Sequence, residues 1–230
     1  MRCNVNPQRQ AACYAALVAL TFAVLPATAS AQSRRRYGSA GPTAWASFWA
    51  GFVQPTTIND GATGSTWQFG TAAQLGVSLE KNIQSNSSLG IRASFSRAPL
   101  TYTGSSFDNF GTFCSSSCDA DANVTSVQGL FHYGSGIGFH QVIELAFGGT
   151  AFSNFSARDG EGPIGPSGAD LDLSFGLGYG FGWGLSSNTD LEVVEELGAD
   201  YHPSSNLSAG ANTLPRFYTT RIGLRVGLGQ

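Results

Sequence analysis

The chain has 230 residues, 12 of them Lys or Arg and 15 Asp or Glu, for a formal net charge of −3. Charged residues make up only 12% of it, against ~25% in ordinary soluble domains, and Lys81 is the sole lysine. The mild acidity argues against nucleic acid as a partner, and no stretch beyond the N-terminal one approaches the ~20 consecutive apolar residues of a transmembrane helix.

Residues 1–31 read as a cleaved secretory signal peptide. Arg2 and Arg9 supply a positive start, Ala11–Leu25 is apolar apart from Tyr14 and Thr21, and Ala27-Thr28-Ala29 and Ala29-Ser30-Ala31 offer small-residue cleavage sites. That segment holds two basic residues and no acidic one, so the remaining 199 residues keep ten basic and fifteen acidic side chains, a net −5. Cys13 precedes the apolar stretch rather than following it, and Arg34–Arg36 lie beyond the cleavage sites; neither a lipoprotein nor a twin-arginine signal is expected. Residues 32–43 are expected to be a mobile mature N-terminus and residues 44–230 a single barrel domain.

The remainder reads as strands. The clearest is Leu171–Trp183, LDLSFGLGYGFGW, in which every odd position is large and apolar and every even one is Asp, Ser or Gly. A period of two places these sets on opposite faces of one strand. On that template eight strands are expected, near Ala44–Val53, Thr66–Glu80, Ser88–Arg97, Asn123–Tyr133, Phe139–Phe152, Ala169–Gly184, Thr189–Tyr201 and Arg216–Leu228. The second is expected to point Trp67, Phe69, Thr71, Ala73, Leu75, Val77 and Leu79 one way and Gln68, Gly70, Gln74, Gly76 and Ser78 the other. The eighth sets Tyr218, Thr220, Ile222, Leu224, Val226 and Leu228 against Thr219, Arg221, Gly223, Arg225 and Gly227. The first carries aromatics on both faces, Phe48 and Phe52 against Trp45 and Trp49, and its faces stay unassigned.

The links alternate in length. Lys81–Ser87, Gly134–Gly138 and Leu185–Asn188 are short and rich in turn residues, whereas Gln54–Ser65, Ala98–Ala122, Asn154–Gly168 and His202–Pro215 are longer. Short turns at one end, long loops at the other and an even strand number describe a closed up-and-down outer-membrane barrel. A soluble sandwich would need charge on its outer face, and here the face opposite the apolar one is mostly Gly, Ser and Thr. Small residues suit a narrow barrel interior instead. Cys114 and Cys118, spaced CSSSC, are expected to form a disulfide that stiffens one loop; the competing metal reading lacks a nearby histidine and zinc-knuckle spacing.

On these patterns the chain resembles the small eight-stranded outer-membrane barrels, the OmpA-like, OmpX-like and OmpW-like group, over Ala44–Gln230. The resemblance implies an all-β, eight-stranded antiparallel transmembrane β-barrel in the outer membrane. It implies outer-membrane lipid as surroundings, and barrel-assembly machinery and periplasmic chaperones as partners in transit. Two departures stand out: the chain ends Leu228-Gly229-Gln230 rather than in an aromatic residue, and no peptidoglycan-binding module follows strand eight.

The expected inward charges are Arg92, Glu144, Glu192, Glu196, Arg221 and Arg225. Acids on strand seven and arginines on its hairpin partner can pair inside the barrel, where charge is tolerable only when paired. They read as a polar plug that fixes register or, alternatively, as a filter for a small solute; an eight-stranded interior is just wide enough for side chains to fill. Glu195 falls on the lipid side, to be relieved by a bulge, a shorter embedded stretch or a protein partner. His202 and Ser204 resemble the His-x-Ser pair of lipid A deacylases, but no acid follows Ser204, so Glu195, Glu196 or Asp200 would have to orient the histidine. His132 and His140 are expected to hydrogen-bond locally. Asp119–Asn123 copies the opening of a calcium loop, but Val124 and Leu130 stand where glycine and an acid are required, which excludes an EF-hand and leaves a solvated loop. No cofactor motif appears. The expected function is non-enzymatic, a structural, adhesive or ligand-binding barrel acting through extracellular loops whose ligand the sequence does not name. The alternatives are passive passage of small or hydrophobic solutes and lipid A modification.

Overall fold

A computed structural model describes residues 41–59, 66–104, 117–158, 170–201 and 216–229. They form β1 (Ala44–Pro55), β2 (Ile58–Asn59), β3 (Thr66–Phe69), β4 (Ala72–Gln84), β5 (Ser87–Thr103), β6 (Ser117–Tyr133), β7 (Gly138–Ala157), β8 (Asp170–Ser186), β9 (Thr189–Tyr201) and β10 (Arg216–Leu228). Every pairing is antiparallel. Sequence neighbours pair from β4 round to β10, and β1 closes the cylinder by pairing with both β10 and β4. Eight staves therefore make the barrel, with β3 continuing the β4 stave and β2 hairpinned onto β3. The turns at Ser85–Asn86, residues 134–137 and residues 187–188 share one end with Thr43 and Gly229, whose backbones meet there (Thr43 N to Gly229 O, 3.4 Å).

The two faces divide as a period of two requires. Leu75, Val77, Leu79, Leu89, Ile91, Phe147, Leu173, Phe175, Leu177, Val193, Ile222 and Leu224 stand exposed on the outside. Serines, glycines and paired charges occupy the inside. In water this outside would forfeit the hydrophobic contribution of every strand; against hydrocarbon it costs nothing, and closure leaves no backbone edge unpaired in lipid. At the turn end Phe139 stacks on Phe181 (5.2 Å) and meets Trp183 edge-on (6.5 Å), the aromatic girdle of a membrane interface. In β1 the question of faces is resolved: Trp45, Trp49 and Val53 point in, Phe48 and Phe52 out.

Two irregularities near the loop end correct the expected faces. Gln74 opposes Ser96 but Phe69 opposes Leu100, so the β3–β4 stave carries one more residue than β5 across the same interval. One extra residue reverses the alternation. Trp67 and Phe69, expected to share a face with Leu75 and Val77, are buried inside instead. The break falls at Gly70, whose N–H donates to Pro99 O at 2.7 Å. On β7, Ser153 opposes Asn123 but Ser156 opposes Asp121, with Asn154 at φ 52°. Asparagine tolerates this left-handed conformation, and the reversal turns Phe155 inward.

The strands also run further than expected. β5 reaches Thr103, β6 begins at Ser117 and β7 ends at Ala157, so much of the expected Ala98–Ala122 loop is ladder. The calcium-like segment Asp119–Asn123 lies in β6 rather than in a solvated loop. Thr101 Oγ1 donates to Asp119 (2.8 Å), and Arg158 Nη2 to Asp121 (2.8 Å).

Candidate functional site

The barrel interior is layered from the turn end to the loop end. Nearest the turns, Arg225 Nη2 donates to Glu80 Oε2 (2.6 Å) and Ser88 Oγ (2.8 Å), and the ring of Trp45 lies 4.6 Å from the guanidinium. His132 holds Gly134 O at 2.7 Å through Nε2 and Glu144 at 3.3 Å through Nδ1. His140 Nδ1 faces Gly138 O at 3.1 Å. Both histidines therefore make the local bonds expected of them.

The middle layer is the strongest. Arg92 grips Glu196 in two parallel bonds of 2.5 Å and donates through Nε to Gln128 (2.7 Å). Arg221 donates to Glu196 (2.8 Å) and to Glu144, beneath the ring of Trp49 at 5.2 Å. A two-pronged arginine–carboxylate pair adds geometry to energy. The small inward residues make room for it: a Cβ on Gly176 would stand 2.5 Å from Glu196 Oε1, and one on Gly76 would enter the Trp49 ring. Above this lie hydroxyls and acids, with Ser94 against Ser126 (2.6 Å) and Thr150 against Asp200 (3.2 Å). Trp67, Phe69 and Phe155, brought in by the two bulges, then pack with Tyr102 of β5 across the mouth, Trp67 lying 4.6 Å from Tyr102 and 5.7 Å from Phe155.

All six expected inward charges lie buried in this interior. Arg225 reaches across β1 to Glu80, and Glu192 stands 3.8 Å away from it. Glu80, Asp190, Asp200 and His132 are buried there too and were not among the expected inward charges. Parity would have found them, since each continues the even-numbered inward set of its strand, with Ser78, Glu192, Glu196 and Gln128. Outside, Glu195 faces lipid between Val193 and Leu197 and accepts a bond from Thr220 Oγ1 (2.8 Å). The ladder is continuous on both its sides, so no bulge relieves it. Beyond the apolar band, the hydrogen bond and charge of Arg158 hold the Asp121 carboxyl below its ordinary range. Cys118 is the second residue of β6; Cys114, His202 and Ser204 lie outside the described residues.

The space left between these layers is small. A cavity of about 50 Å³ lies between the arginine layer and the aromatic mouth, and one of about 20 Å³ lies between the charged layers. At ~10–15 Å³ per water the first holds a few waters and the second one or two. A vestibule of about 570 Å³ opens at the turn end.

No known protein-family description matches the chain, and no curated protein is similar to it. It is similar to solved structures. With outer membrane protein OprG from Pseudomonas aeruginosa it shares 14% identity over 83% of this chain and 99% of that one, at a TM-score of 0.45. With Neisserial surface protein A the figures are 11%, 83%, 100% and 0.44. With Ail, the attachment invasion locus protein of Yersinia pestis, they are 15%, 81%, 99% and 0.38. On its own pairing, its apolar exterior and its charged interior, the chain is an eight-stranded antiparallel β-barrel of the outer-membrane type.

Proposed function

We propose that this is a closed, non-enzymatic outer-membrane barrel whose interior is structural and whose function is carried by its loop end, as a structural, adhesive or ligand-binding surface. The filled interior carries this reading. Arg92, Arg221, Glu144 and Glu196 bridge four different staves, β5, β10, β7 and β9, and leave room for only a few waters. Above them the bulges place aromatic rings across the mouth, and β5, β6 and β7 continue past the apolar band with a polar surface bearing Arg97, Asp119, Asp121 and Arg158. A transmembrane strand needs ~9–11 residues; β5 and β6 have 17 each and β7 has 20. The surplus builds a ribbon outside the membrane, where a partner is met. Reconstitution into planar bilayers tests the closed interior: no steady conductance is expected. Steady conductance that disappears in R221A and E196A would instead establish solute passage, and altered lipid A in cells overproducing the chain would establish an enzyme.

A further inference from the structure

The turn-end layer contains a group whose polar atoms the hydrogen bonds of the interior leave unused. His140 Nε2, both carboxylate oxygens of Asp190 and Glu192 Oε1 are buried without a hydrogen-bond partner, and ligand atoms of these three residues lie within 4.8 Å of one another. Asp190 is only 1% exposed. A buried carboxylate with two oxygens that no protein donor satisfies is costly.

Each ligand is held for a purpose the barrel does not otherwise serve. His140 Nδ1 faces Gly138 O at 3.1 Å, and a carbonyl only accepts, so Nδ1 carries a proton and in the neutral ring Nε2 presents its lone pair to Asp190 and Glu192. That is the support a metal-ligating imidazole requires. Glycines clear the space: a Cβ at 182 would lie 2.3 Å from His140 Nε2, and one at 184 would lie 2.8 Å from Asp190 Oδ1. The neighbouring His132 shares Glu192 at 3.5 Å, but both of its nitrogens are already engaged by Gly134 O and Glu144.

Charge points the same way. Among the described residues, seven acids are buried, Glu80, Glu144, Asp172, Asp190, Glu192, Glu196 and Asp200, against three arginines, Arg92, Arg221 and Arg225, and His132, whose two ring nitrogens both face acceptors. Arg225, the cation nearest the group, is committed to Glu80 and Ser88 and stands 3.8 Å from Glu192. A divalent cation would offset two of the uncompensated charges. Asp190 also lines the vestibule at the turn end, which supplies a route from that side.

We propose that His140, Asp190 and Glu192 form a binding site for one divalent transition-metal ion, reached from the turn-end vestibule. One imidazole and two carboxylates suit Zn²⁺ and its first-row neighbours rather than the all-oxygen shells of Ca²⁺ or Mg²⁺. The site rests on the barrel fold alone and is independent of whether the barrel conducts.

Untagged, detergent-solubilised protein is stripped with chelator, and Zn²⁺ is titrated against a chromophoric competitor. Co²⁺ serves as a second probe through its visible absorption. The expected result is one Zn²⁺ per chain, with H140A and D190N each weakening binding by about tenfold or more. H202A should bind as wild type, and folding of every variant is read from heat-modifiable gel migration. If either variant fails to fold, H140Q and D190S take their places. Absence of stoichiometric binding, binding that survives loss of both His140 and Asp190, or binding lost in H202A overturns the assignment.

Discussion

At the scale of single residues, the interior shows why charge can be buried in so narrow a barrel. Glu196 receives Arg92 through two bonds and Arg221 through a third. Removing the acid strands two guanidinium groups, and breaking a buried pair from one side costs ~3–5 kcal/mol. E196A is expected to lose about 3 kcal/mol in urea unfolding, since Gln128 and Glu144 still hold the arginines in part. E196A/R221A should cost less than the two single losses combined, with a coupling of about 1 kcal/mol or more; strict additivity would show that the pair carries no stability. Glu195 tests the opposite face. An acid on the lipid side costs less than the ~2–4 kcal/mol of a basic residue at mid-membrane, so E195L is expected to raise stability by about 1 kcal/mol unless a protein partner covers that face. Outside the membrane, the carboxyl of Asp121 should titrate below its ordinary 3.8, and R158Q should raise its midpoint. A group with a depressed value stabilises the folded ribbon above the ordinary value, and that contribution is lost as pH falls through the folded one. Carbon-13 shifts of the Asp121 carboxyl read both midpoints.

At the scale of elements, parity along each strand was legible and breaks in parity were not. Leu171–Trp183 declares both faces because nothing interrupts its alternation, and β8 keeps them throughout. Thr66–Glu80 looks equally regular, yet its two halves face opposite ways. An apolar residue satisfies the alternation test whether it meets lipid or an aromatic mouth, so Trp67 and Phe69 carried no sign of their reversal. Gly70 and Pro99 were the available hints: proline in a sheet is confined to edges and bulges. Asn154 offered a similar one. The Arg225–Glu80 pair was not legible for a related reason, since hairpin adjacency says nothing of a long side chain reaching past β1. Deleting Thr71 should return the stave to one phase and swing Trp67 and Phe69 outward. The expected result is a barrel that still shifts on gels but has weaker near-ultraviolet dichroism and a larger acrylamide-quenchable tryptophan fraction. Unchanged quenching would mean that the extra residue does not set the face.

At the scale of the whole molecule, the membrane assignment depends on a property no single strand possesses. Any amphipathic strand can turn its apolar face to a protein core. The chain excludes that arrangement by lacking charge to cover the other side: Lys81 is its one lysine, and Arg92, Arg221 and Arg225 are spent in pairs with Glu80, Glu144 and Glu196 within the interior. What remains outside is a continuous band of Leu, Val, Ile and Phe around all eight staves, with residues such as Ile91 and Leu79 more than 60% exposed. Soluble monomers rarely expose apolar patches beyond a few hundred Å², so in water this surface drives aggregation, whereas hydrocarbon satisfies it and closure leaves no strand edge to template other chains. Cell fractionation should therefore recover the protein with outer membranes. It should resist extraction by alkaline carbonate and migrate at a different apparent size in unboiled and boiled samples. The same chain diluted from urea into buffer should aggregate, and diluted into detergent or short-chain lipid vesicles should recover the compact, unboiled form. A monodisperse, folded species in buffer without detergent would overturn the membrane assignment, because the charged layers would then have to be the surface and the apolar band the core.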